Sequence, residues 1–283
     1  MPPIGLAASL GLGCPRSATS SGVPGGGASY DEDAQTYFDA LVVEGATPSD
    51  ARKLAISDYF EALKAASNFT DVKALYIPIW GSAAPNSLNA VNPGTYDLTW
   101  IDTVTHEDGY IYGDGLTGMA TAGFQSYDST GTKFWGRNDQ SFGGNVVDYN
   151  SSGKSVLCGM KYQHTILPRY GATTCYSCVS DYAGWLYFTD NDHEGLYVVN
   201  SIPLDPGKNT AGEVFHEGTS EVTGQFVGPG VTGNRVDWGL LAYNYSTGAG
   251  FFSTYHVNFA FAGTTLTSAS DFNTDTATLL AAI

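Results

Sequence analysis

The chain has 283 residues, 42% of them hydrophobic and 13% aromatic, enough apolar bulk to fill the core of one large all-β unit. Its 28 acidic and 12 basic residues give a formal net charge of −16, and Lys and Arg nowhere form a stripe, which argues against nucleic-acid binding. Charged residues make up only 14%, against about 25% in ordinary soluble domains, so surface polarity must come from Ser, Thr, Asn, Gly and Tyr.

The chain opens on an apolar stretch, Pro2 to Gly13, that has no basic flank and is too short to span a bilayer. It leads into Cys14-Pro15-Arg16 without a cleavage site, so it reads as neither a secretion signal nor a membrane span. A lipobox at Cys14 is opposed by Gly11, where such a box wants Leu. Ser17 to Gly27 is a flexible Gly/Ser linker by composition. Residues 1–29 therefore read as an anchoring arm whose partners are neighbouring subunits.

Helical spacing begins after the acidic run Asp31-Glu32-Asp33, with Ala34, Tyr37, Phe38, Leu41 and Val42 on one face and Gly45 as the stop. Ser49 caps a second helix carrying Ala51, Leu54, Ala55, Tyr59, Phe60, Leu63 and Ala66, and the two predict a hairpin over 30–70. From residue 71 to 283 the pattern is of strands: Val72 to Ile79, Tyr96 to Ile101, Tyr110 to Tyr112, Ser155 to Tyr162, Trp185 to Thr189, Leu196 to Ile202, Glu221 to Val227, Val236 to Tyr243 and Phe251 to Phe261. Turn residues separate them and no long amphipathic helix intervenes, which excludes a parallel βαβ sheet and predicts an antiparallel sandwich or jelly roll. Ser268 to Ile283 reads as a closing helix.

The richest acidic run is Asp190-Asn191-Asp192-His193-Glu194. A continued strand would put Asp190, Asp192 and Glu194 on one face, as a carboxylate pair for glycoside hydrolysis requires; a calcium site is a second reading. A hairpin turn before Gly195 is the leading one, with the side chains bonded to local backbone. Phe215-His216-Glu217 and His106-Glu107-Asp108 also read as turns, since H-E without a following x-x-H on a helix is no zinc motif. Cys175 and Cys178 form a single C-x-x-C, with Cys158 upstream and His164 as the nearest fourth ligand, a spacing that fits buried thiols or a local disulfide better than zinc. No nucleophile elbow, P-loop or dinucleotide fingerprint is present. Asn138, Tyr176, Tyr182, Trp185, Tyr243 and Tyr245 are the candidate sugar-binding residues, able to stack on sugar faces and bond hydroxyls.

The phrase Asn92-Pro93-Gly94-Thr95-Tyr96-Asp97-Leu98-Thr99-Trp100, the turn Tyr112-Gly113-Asp114-Gly115, and the pair of segments Gly239 to Tyr245 and Phe259 to Gly263 carry a resemblance. With the helix from Leu266 onward, residues 30–283 resemble the concanavalin A-like (laminin-G-like) proteins among the structural proteins of tailed bacteriophages. The resemblance implies a two-sheet jelly roll on the virion surface, in a decoration, fibre or receptor-binding role, contacting host glycans. It carries over no catalytic residues, and the metal loop of lectins with this fold has no counterpart beyond Asp190 to Glu194. The expectation is a non-enzymatic virion protein, docked by its arm to other virion proteins and homo-oligomeric, with no membrane and with calcium the one cofactor left open. The alternative is a glycan-binding module or a polysaccharide hydrolase on the same fold.

Overall fold

A computed structural model describes residues 29–125, 140–148, 156–160, 164–169, 173–179, 185–191, 193–202, 210–226, 237–245, 248–250 and 252–283. Residues 1–28 of the arm lie outside them.

Helix α1, Glu32–Val43, begins where the Asp31 carboxylate accepts from the backbone N–H of Asp33 at 3.0 Å and Ala34 at 3.3 Å. The same carboxylate takes the Lys64 ammonium at 2.8 Å, tying the start of α1 to the end of α2, Asp50–Ala65. Burial alone would raise the Asp31 pKa, but Lys64 and the two N–H groups outweigh it and hold this carboxyl below its ordinary value. Ser49 caps α2 by accepting from the Arg52 N–H at 3.3 Å. The buried face of α2 is Ile56, Tyr59, Phe60 and Leu63; Leu54, expected inward, is 52% exposed. After the short α3, Ala83–Ser87, the last helix is α4, Ala269–Ala282. It packs along α2, and the Tyr59 hydroxyl meets Thr276 Oγ1 at 3.0 Å. Among the described residues no helix is long and apolar enough to cross a membrane.

The first sheet runs, in spatial order, Thr219–Phe226, Thr210–His216, Gly195–Ile202, Ser141–Asp148, His256–Gly263, Tyr110–Gly113 and Val104–Glu107, with Val72–Tyr76 also paired to His256–Gly263. The second runs Trp185–Thr189, Thr174–Val179, His164–Leu167, Cys158–Met160, Asp237–Leu240, Met119–Gln125 and Thr99–Ile101; Tyr243–Tyr245 joins at Cys158–Met160 and carries Gly248–Gly250. The protein is thus a mainly β, two-sheet antiparallel sandwich with an N-terminal helical region, as the periodicity predicted.

Helices α1, α2 and α4 cover the outer face of the first sheet, so that sheet is buried on both sides. Alternation divides its residues between two cores. Leu75, Val198, Phe259 and Phe261 face the helices, where they meet Phe38, Phe60 and Phe272. Tyr76, Tyr197, Val199 and Val257 face the second sheet, where they meet Phe124 and Trp238. Full burial of each such ring contributes about 1.5–3 kcal/mol. The central strand Ser141–Asp148 carries Gly143 and Gly144 where its neighbours crowd: a Cβ on Gly143 would strike the Tyr197 carbonyl and lie 2.6 Å from Phe261 Cε1.

Candidate functional site

Among the described residues, strand Trp185–Thr189 is the outermost of the second sheet and pairs only with Thr174–Val179 in that sheet. Leu186 and Phe188 point into the core, so Tyr187 between them points outward. Tyr187 is directly opposite Tyr176, with ring centroids 5.7 Å apart and planes tilted by 32°. Tyr176 packs on the buried pair Val156 and Leu167, while Tyr187 is 63% exposed. One step along, Thr189 is opposite Thr174, and Thr189 is exposed. The result is a pair of aromatic rings flanked by hydroxyls on one sheet face, chemistry suited to the apolar face and hydroxyl rim of a sugar.

A second aromatic group lies on the first sheet. Tyr110 and His256 are stacked at 4.4 Å with planes 3° apart, Tyr112 is 4.9 Å from His256, and the Asp148 carboxylate reaches His256 Nδ1 at 3.4 Å. Beside it Asn145 Nδ2 donates to Asn258 Oδ1 at 2.8 Å.

Asp190, Asn191, His193 and Glu194 lie between strands. The strand ends at Thr189 and the next starts at Gly195, so Asp190 and Glu194 do not share a strand face. Asp190 is 5% exposed and turned inward: it accepts from the Tyr197 hydroxyl and, at 3.1 Å, from the His193 N–H. His193, buried and at φ +61, donates from Nδ1 to the Pro168 carbonyl at 3.0 Å. Glu194 offers its backbone carbonyl to His216 Nε2 at 2.7 Å, and His216 stacks on Tyr197 at 4.4 Å. Burial first, then the neighbouring Cys175 and Asp190, push the Tyr197 hydroxyl pKa far up, so it stays a donor. Asp192 lies outside the described residues. Among the described residues no three His, Cys, Asp or Glu side chains are grouped to hold a metal ion.

Of the sugar-binding candidates, Tyr176 stands in the platform, Asn138 and Tyr182 lie outside the described residues, and Tyr245 is in strand Tyr243–Tyr245 with its side chain outside the description. Tyr187 was missed, although the alternation Leu186-Tyr187-Phe188 signals one outward ring. Cys158 and Cys175 are buried thiols without a disulfide, their pKa raised by burial. His106 and Glu107 are in a strand, and only Asp108-Gly109 turns. Glu217, in the turn after His216, accepts from the Leu196 N–H at 2.7 Å.

No family model matches the sequence, and no curated protein does. Solved structures of similar fold include the following three. Domain 4 of an extracellular arabinanase from Geobacillus stearothermophilus, in complex with arabinotriose, covers 72% of this chain and 98% of that one, at 16% identity and TM-score 0.43. Trypanosoma rangeli sialidase covers 78% of this chain and 38% of its own, at 12% identity and TM-score 0.47. The binding domain of botulinum neurotoxin serotype D covers 75% and 51%, at 9% identity and TM-score 0.47. The chain thus spans well under two thirds of the last two, and the likeness is one of fold. One expectation is corrected here: the sequence led to the expectation of a non-enzymatic protein, with a hydrolase as the alternative, whereas the similar structures include a sialidase and a domain of an arabinanase. That expectation rested on missing motifs, and a carboxylate pair for glycoside hydrolysis leaves no motif in a single sequence.

Proposed function

We propose that this chain is a carbohydrate-binding β-sandwich that takes sugar rings on the Tyr176–Tyr187 platform. The observation that carries the reading is Tyr187, a large aromatic ring 63% exposed on an edge strand and in register with a second ring, that of Tyr176. The ring belongs to neither hydrophobic core, and its exposed face has the chemistry that stacks on a sugar. The finer reading is a bacteriophage virion component that displays the sandwich on the particle surface and is held by residues 1–29. Its support is the resemblance over residues 30–283 and the composition of the arm. Titration of an oligosaccharide that the protein retains tests the binding claim: Tyr187→Ala should raise Kd about tenfold, a loss of about 1.4 kcal/mol, and Tyr187→Phe should raise it far less. Equal affinity in all three proteins would remove the platform.

A further inference from the structure

An apolar groove of about 380 Å³ runs between α2 and α4, walled by Ala51, Ala55 and Tyr59 on one side and Leu279 and Ala282 on the other, with Leu54 at its rim. Its polar lining includes Asp58 and Asp275, and no Lys or Arg lines it. We infer that in the free chain this groove is the seat of the chain's own apolar segment, Ile4 to Leu12.

Three observations converge on that occupant. The first is shape chemistry: Ile4, Leu6, Leu10 and Leu12 alternate with Gly, Ala and Ser, which puts branched apolar groups on a thin strip of chain, complementary to a narrow alanine-walled groove. The second is reach. The described chain enters α1 at Asp31, whose N–H donates to Ser57 Oγ at 2.8 Å, and Ser57 adjoins Asp58 in the groove lining. From Leu12 to Asp31 is a step of about 19 residues of Gly/Ser-rich chain, for which a coil has a root-mean-square span of about 22–26 Å, while a helix with its side chains is about 10–12 Å across. The tether therefore spans the width of α2 without stretching, at an effective concentration near the millimolar range.

The third is charge. Arg16 is the one cation of the arm and follows the apolar segment closely. Asp275 has its carboxyl pKa raised by burial and by Asp271, a cost that an adjacent guanidinium relieves. The inference stands apart from the sugar-binding reading and uses none of its residues.

Cross-linking in the full chain tests it. Leu10→Cys is combined with Ala55→Cys in the groove, or with Glu61→Cys on the exposed side of α2, in a background where Cys14 and Cys178 are Ser. If Ala55→Cys does not fold, Leu54→Cys at the rim replaces it. Under mild oxidation the groove pair should form an intrachain disulfide at least tenfold faster than the Glu61 pair, at a rate independent of protein concentration. Equal rates at the two positions, or disulfides formed mainly between chains, would overturn the assignment.

Discussion

The Tyr197 hydroxyl donates to the Asp190 carboxylate inside the sandwich, and that bond joins the turn after the second sheet's edge strand to a central strand of the first sheet. It turns the most conspicuous acid of the sequence inward. Tyr197→Phe leaves a buried carboxylate short of a donor and should cost about 1–3 kcal/mol, read as a lower midpoint in chemical denaturation. An unchanged midpoint would show that Asp190 gains nothing from this bond.

Gly143 is required by the approach of Tyr197 and Phe261 to the central strand. Gly143→Ala should destabilise by about 1–3 kcal/mol through overpacking. Gly45, past the end of α1 at φ +88, has no atom near a would-be Cβ, so Gly45→Ala meets backbone strain alone and should cost about 1 kcal/mol. Denaturant midpoints that rank the two in the opposite order would contradict the packing described for Ser141–Asp148.

Acid sensitivity follows from Asp114. The backbone N–H groups of Gly118 and Thr117, with smaller contributions from Leu116 and the Thr117 hydroxyl, hold its carboxyl far below the ordinary range despite slight burial. A depressed folded-state pKa contributes stability that is present above the unfolded carboxylate value, about 4, and lost as pH falls below it. Tm should therefore fall between about pH 4 and pH 2 in the native protein, and Asp114→Asn should flatten the fall in that window. Parallel Tm–pH curves would refute the role of this turn.

Cys158 and Cys175 should be unreactive in the folded protein, because burial suppresses both access and the thiolate. Alkylation with peptide mapping should label them only after denaturant is added. Labelling of either under native conditions would show that the inter-sheet core opens.

Local chemistry was legible. The Ser49 cap lies where the sequence puts it, α1 starts within the acidic run Asp31-Glu32-Asp33, and strand Trp185–Thr189 has the predicted bounds. Strand Ser141–Asp148 was missed because its two glycines lower strand propensity, and the need for them arises from strands that are remote in sequence. Leu54 fits the apolar spacing of α2 yet is exposed, since the inward arc is set by where α1, α4 and the sheet pack. The run Phe259-Ala260-Phe261-Ala262, apolar on both parities, was a sign that the first sheet is covered twice. Tyr176 was named from the sequence, but its value as a platform depends on Tyr187, eleven residues on, through a cross-strand register that no local pattern shows.

The most direct test is a glycan array probed with the native chain and with Tyr187→Ala, whose far-ultraviolet dichroism should match, since Tyr187 belongs to neither core. The account predicts retention of a defined set of glycans by the native chain and loss of that whole set on substitution. Retention of the same glycans at the same strength by Tyr187→Ala would contradict it.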